Sequence, residues 1–256
     1  MDAQRPRGRP PKYTVEEVRS RLHEAARESL RQSGITSGLD AVTLDVCIAE
    51  ADVPRGSAYR LFQVDEMSPQ DAFRREVAIT LLRELPARLG LEATQDEFEA
   101  LYAESREELA SAGVTDRTQI TRNMIRIVAT ESFRRIDASS NWLIYSALRT
   151  AAVSRSDDPG LRQAVLEGEE YLIRRYSGLY KMIGDAMGLR LRDSYTYEEF
   201  SICAYALNEG VANRLSSSFR RFDIERPTGP DGDMQPWSLF GVAYEALVDQ
   251  FFEAEE

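Results

Sequence analysis

Apolar residues recur at helical spacing along most of the chain. Val18, Leu22, Ala25, Ala26 and Leu30 fall on one face of a first predicted helix. Thr14 and Glu17 form a capping box at its start, and Gly34 is placed to stop it. A second, shorter helix follows Thr43, an N-cap candidate, with Leu44, Cys47, Ile48 and Ala51 on one face. A third begins at Pro54, whose fixed backbone angle suits a first turn, and runs through Ala58, Leu61 and Phe62. After a loop from Gln63 to Met67, Ser68-Pro69-Gln70-Asp71 signals another start, and Pro86 ends or kinks the helix expected from Ala72 to Arg88. Long helical patterns then run over Gln95 to Ala110, Thr115 to Arg135, Asn141 to Ser154, Leu161 to Met187, Glu198 to Phe219 and Trp237 to Glu253. The stretches around Ser156 to Gly160 and Glu225 to Asp233 read as turns, and alternating strand patterns of useful length are absent. The fold class expected is all-α, with three short helices followed by a larger helical bundle.

Composition narrows the function. The 256 residues are 43% hydrophobic and 29% charged, a globular balance. No run approaches the ~20 apolar residues of a membrane span, and the N-terminus leads into charge, so a soluble cytoplasmic protein with no membrane partner is expected. Cys47 and Cys203 are far apart and outside any ligand-spaced cluster, so neither a disulfide, a metal site nor a cofactor is expected. An enzyme is disfavoured as well. There is one histidine, no phosphate-cradling glycine loop, and no carboxylate pair that stands apart from solvated helix faces.

The net charge of −11 excludes a generally basic nucleic-acid coat. Its distribution changes that picture. The first 75 residues hold 12 basic and 12 acidic side chains, so the whole excess belongs to the remainder. Arg5, Arg7, Arg9 and Lys12 lie in the first twelve residues, in a Pro- and Gly-interrupted arm that cannot be a helix.

Short helix, tight turn, short helix is the layout of a helix-turn-helix. The run from Thr43 to Phe62, with Ala51-Asp52-Val53 at the turn and Gly56-Ser57-Ala58-Tyr59-Arg60-Leu61-Phe62 in the second helix, resembles the DNA-binding signature of tetracycline-repressor-like (TetR) regulators. The likeness in specific residues covers about Val15 to Phe62; beyond it only length and helical layout agree. It implies a basic, flexible arm over 1–12, a three-helix DNA-binding domain over 13–67, and a helical ligand-binding and dimerisation domain over 68–256. Arg7-Gly8-Arg9-Pro10 also resembles the core of an AT-hook, which lies in an A·T minor groove.

Each candidate contact has a physical rationale. Gly56 lets the helix approach the sugar-phosphate backbone, and the Tyr59 hydroxyl can reach a phosphate. Arg55 and Arg60 can pair with phosphate or with guanine, and Ser57 can touch a base edge. Thr43 can place its hydroxyl on a phosphate or simply cap its helix. The competing readings are an incidental glycine near a helix start for Gly56, a purely structural Tyr59, and solvated surface residues for Arg55, Arg60 and Ser57. Two features depart from the family pattern: Asp52 stands where glycine is common, and Asp65 and Glu66 stand where many members carry a phosphate-contacting lysine. Leu44, Cys47, Ile48, Val53, Leu61 and Phe62 read as core.

In the larger region the resemblance implies a dimer face on the last two long helices and a pocket for an unknown small-molecule effector. Tyr205, Ala212, Leu215, Val242, Ala246 and Phe251 are candidates for the dimer face. Trp142, Tyr145, Arg149, Tyr171 and Arg175, from an aromatic and basic set that also holds Arg174, Tyr176 and Tyr180, are candidates for a cavity that takes an apolar or anionic ligand. His23 reads as a surface residue. The function expected is a regulator, more often a repressor in such families, that binds a palindromic double-stranded DNA operator as a homodimer and is released by its effector. The alternative is an interaction protein of the same fold that has lost sequence-specific DNA binding.

Overall fold

A computed structural model describes residues 12–33, 39, 42–155, 157–216, 223–228 and 232–254. The chain divides into two compact units: the segment up to Arg83 together with Leu143–Val165, and Glu84–Trp142 together with Leu166–Glu256. The elements of the first are α1 (Val15–Ser33), α2 (Leu44–Glu50), α3 (Arg55–Leu61) and α4 (Pro69–Glu84), with most of α7 (Ser140–Arg155) and the start of α8 (Pro159–Met187). The capping box closes as expected: Thr14 N–H donates to Glu17 Oε2 at 2.7 Å and Glu17 N–H to Thr14 Oγ1 at 3.1 Å. Helices of seven residues such as α2 and α3 are marginal alone, so packing must hold them. They lie against α1 through a core that includes Leu22, Ala26, Leu30, Leu44, Cys47 and Phe62. Each large side chain buried there contributes roughly 1.5–3 kcal/mol. Phe62 meets Phe73 of α4 edge-on with centroids 5.0 Å apart, while Ile48 and Leu61 sit only half-buried at the rim.

His23 departs from the surface reading. Its side chain is 14% exposed, and its Nε2 lies 3.1 Å from Glu76 Oε1 on α4. The α1 face that looks polar in sequence is covered once α4 folds across it.

The second unit holds a 3₁₀ turn (Leu85–Arg88), α5 (Leu91–Ser111), α6 (Val114–Asp137), the rest of α8, α9 (Tyr197–Ser216) and α10 (Leu239–Phe251). Pro86 sits at the start of the 3₁₀ turn, where the interruption of α4 was expected. Two antiparallel pairs of strands correct the expectation that strands are absent. β1 (Leu189–Leu191) pairs with β4 (Phe252–Ala254), and β2 (Asp223–Thr228) pairs with β3 (Asp233–Ser238). Pro227 and Pro236 hide the second pair from a pattern search, yet both strands of a two-stranded ribbon are edges, where proline is tolerated. Trp237, expected to open the last helix, belongs to β3 and is fully buried, donating Nε1–H to Thr228 Oγ1 at 2.8 Å. Ser238 caps α10 instead, accepting from Gly241 N–H at 3.0 Å.

Candidate nucleic-acid interface and ligand cavity

The turn between α2 and α3 is built on Asp52, which adopts the left-handed conformation at φ +50° in the position where glycine is common. Thr43 caps α2 by accepting from Val46 N–H at 3.3 Å. Gln70 of α4 accepts from Leu44 N–H at 2.7 Å and donates to Val42 O at 3.0 Å, tying the start of α2 to α4. α3 then carries Arg55 and Arg60 exposed and Ser57 and Tyr59 half-buried. Gly56 is exposed, and a methyl built on it would meet nothing within 4 Å, so its backbone lies open to close approach. Arg60 Nε donates to Gly56 O at 2.9 Å, folding its guanidinium back along the helix.

Three of the expected cations and donors are engaged by the protein's own carboxylates. Arg55 Nη2 lies 3.0 Å from Asp45 Oδ2, and Tyr59 donates its hydroxyl to Asp45 Oδ1 at 2.9 Å. Arg55 also donates to the Tyr59 hydroxyl at 3.4 Å and sits 5.1 Å from its ring centroid. Lys12 Nζ reaches Asp52 Oδ2 at 2.6 Å, which raises the ammonium's pKa and lowers the carboxyl's. Sequence reasoning missed Asp45 as a member of this cluster, because a first-turn acid on α2 reads as a helix-dipole residue. Arg5, Arg7 and Arg9 lie outside the described residues, as do Gly34 and the side chain of Leu215.

A cavity of about 80 Å³ opens within the second unit, lined from α5, α6, α8, β1, α9, α10 and β4. Its wall includes Phe98, Met124, Val128, Leu179, Met187, Phe200 and Phe240, the tyrosines Tyr176, Tyr180, Tyr205 and Tyr244, and Asn208. Among the described residues that line it, Asp, Glu, Lys, Arg and His are all absent. Burial pushes the Tyr176 hydroxyl up to about 12 and raises Tyr180 and Tyr244 too, so all three stay neutral.

The sequence candidates fall unevenly around this cavity. Tyr176 and Tyr180 of the aromatic set line it; Trp142, Tyr145, Arg149, Tyr171 and Arg175 do not. Trp142 and Tyr145 are buried as packing residues, Tyr171 is exposed, and Arg175 faces Glu92 at 3.9 Å. Among the dimer candidates, Tyr205 lines the cavity, Ala212 and Phe251 are buried, Val242 is half-buried and Ala246 is exposed. Asn208, Phe240 and Tyr244 were missed. They come from helices distant in sequence, and periodicity alone does not say which apolar faces leave a gap.

Fold and sites together define an all-α helix-turn-helix protein with a separate, uncharged cavity. Solved structures similar to this chain include a TetR family protein from Vibrio parahaemolyticus (15% identity, TM-score 0.42, 92% of this chain and 99% of that one). They also include a protein of unknown function from Rhodococcus sp. RHA1 (14%, 0.43, 94% and 96%) and the multidrug binding protein EbrR complexed with imidazole (18%, 0.41, 92% and 90%). No protein-family model and no curated protein matches the sequence. Among the described residues no helix is long and apolar enough to cross a membrane. No group of three or more His, Cys, Asp or Glu there could hold a metal ion.

Proposed function

We propose that the protein is a DNA-binding transcriptional regulator, a repressor, which binds a palindromic operator as a homodimer and is released by a small molecule bound in the cavity. The observation that carries this reading is the open backbone at Gly56 beside Arg55, Tyr59 and Arg60 on the second helix of a helix-turn-helix. In a dimer, two such helices enter successive major grooves, with Thr43 and Ser57 adding hydroxyl contacts. Lys12 exchanges Asp52 for a phosphate, and Arg5, Arg7 and Arg9 add salt-dependent attraction. The dimer face is the outer side of α9 and α10, where Ile202 is 50% exposed and Ala206, Gly210 and Ala246 allow close helix approach.

Gly56→Ala and Tyr59→Phe test the interface against DNA fragments selected from genomic DNA by the native protein. Adding a methyl in open space on a helix is expected to stabilise the fold by roughly 0.5–1 kcal/mol while holding the backbone off DNA. Both variants are expected to bind at least about tenfold more weakly without a lower thermal midpoint, a loss equivalent to ~1.4 kcal/mol. Native-like binding by both would remove α3 from the interface.

A second reading, an interaction protein that does not bind DNA, is favoured by the engagement of Arg55, Tyr59 and Lys12 with the protein's own carboxylates. Its expected outcome is that no fragment is selected at moderate salt.

A further inference from the structure

Asn208, on α9, points to what the cavity holds. The residue is only 8% exposed and lines the cavity, and its Oδ1 has no hydrogen-bond partner among the described residues. A buried acceptor left unpaired is costly, so a group that donates to it gains more than it would at the surface. Most of the remaining wall is apolar or aromatic, with the hydroxyls of Thr94, Thr121 and Ser132 as its other polar groups. Tyr176, Tyr205 and Phe240 present rings, and Met124 and Met187 supply adaptable side chains that fit irregular outlines. With no charged residue among the described lining, a carboxylate or ammonium would enter without a counter-ion in the wall, and Arg135, which donates to Thr94 from behind it, is already paired with Glu97 at 2.6 Å. The volume of about 80 Å³ is roughly half of the ~150 Å³ that admits benzene in a dry engineered cavity, so a ring system enters as the flexible Met124 and Met187 side chains give way.

We infer that the cavity binds a small, uncharged aromatic molecule whose single hydrogen-bond donor is met by Asn208 Oδ1. This narrows the ligand class expected from sequence, since an anionic ligand is disfavoured. The inference deepens the effector reading proposed above and rests on it for what binding does to DNA; the ligand class rests on the cavity itself.

The test uses the full chain and three probes of similar size, measured by titration calorimetry. Indole is neutral with one N–H donor, benzofuran replaces that N–H by an ether oxygen, and indole-3-carboxylate adds a charge. Indole is expected to bind about threefold to tenfold more tightly than benzofuran, the worth of one buried hydrogen bond. Indole-3-carboxylate is expected to bind at least tenfold more weakly than indole. In Asn208→Leu, checked for native helicity, the gap between indole and benzofuran is expected to close. Equal binding of indole and benzofuran by the native protein overturns the role of Asn208, and that comparison stands even where the variant does not fold. Carboxylate binding as tight as indole, or no indole binding up to its solubility limit, overturns the ligand class. Indole binding with the expected gap, but without release of the selected DNA fragments, supports the ligand site and removes the effector reading.

Discussion

Asp45 holds the two α3 side chains chemically best suited to a phosphate, Arg55 at 3.0 Å and Tyr59 at 2.9 Å, and on the proposed reading its carboxylate competes with phosphate for them. The pair is about half exposed on the Asp45 side and more so on Arg55, so solvent screening leaves it worth ~0–1 kcal/mol. A phosphate carried in by the rest of the interface can displace it. On the proposed reading the carboxylate lowers the affinity of an isolated encounter with DNA without blocking a fully docked one. Asp45→Asn is expected to raise DNA affinity about threefold to tenfold and to steepen the log–log salt dependence by up to ~0.9 per phosphate newly contacted. Filter binding across a salt series checks this; an unchanged slope would mean that Asp45 does not compete with DNA. The substitution also removes an acid from the first turn of α2, so a cost of ~0.3–1 kcal/mol in stability is expected alongside the gain.

The contact between α1 and α4 carries a pH dependence. Glu76 has its carboxyl held below the usual 4.5 by His23 beside it and then by Arg19, which lies 2.8 Å away, against the opposing effect of burial. A depressed carboxyl stabilises the fold fully above its unfolded value and loses that contribution as pH falls through the lower folded value. The urea midpoint of the native protein is expected to drop as pH is lowered from about 4.5, the ordinary Glu value. Glu76→Gln should flatten that acid limb. Asp158 adds a further acid-sensitive contribution, since Arg75 depresses its carboxyl as well. In the other unit, Glu245 is 7% exposed between Arg122 and Arg226, whose guanidinium carbons lie 5.6 and 5.0 Å from the Trp237 ring. That cluster fastens the β2–β3 ribbon to α6 and α10, because a buried carboxylate with two cations leaves little freedom of position.

The charge of −11 lies wholly beyond residue 75, so the segment proposed to meet DNA is neutral while the remainder repels it. Such a protein gains affinity by placing two weak reading heads on one operator rather than by general attraction. Ile202→Glu combined with Ala206→Glu, both on the outer face of α9, is expected to halve the mass in sedimentation velocity and to weaken binding to the selected DNA by at least about a hundredfold, through loss of linked half-site contacts. A native protein that already sediments as a monomer would overturn the dimer.

Where interactions are local, the amino-acid order was enough. Thr14 with Glu17, Thr43 with Val46, and Ser68 with Asp71 form hydrogen bonds across three residues, so their spacing alone announces the helix starts. The α1 stripe from Val18 to Leu30 is buried as its period requires, and the turn at Asp52 falls where the motif places it. The β2–β3 ribbon was not legible, because Pro227 and Pro236 resemble loop residues until Trp237 is buried and the strands pair. The cavity escaped for a related reason: Phe98, Asn208 and Tyr244 come from separate helices, and no periodicity records that their faces fail to close. Asp45 belongs to the same class, ten residues from Arg55 and fourteen from Tyr59, a distance only the folded turn removes. Helices and their caps are short-range hydrogen-bonding choices that sequence by itself determines. Which charges neutralise one another, and where a core leaves room for a ligand, is decided only when remote faces pack.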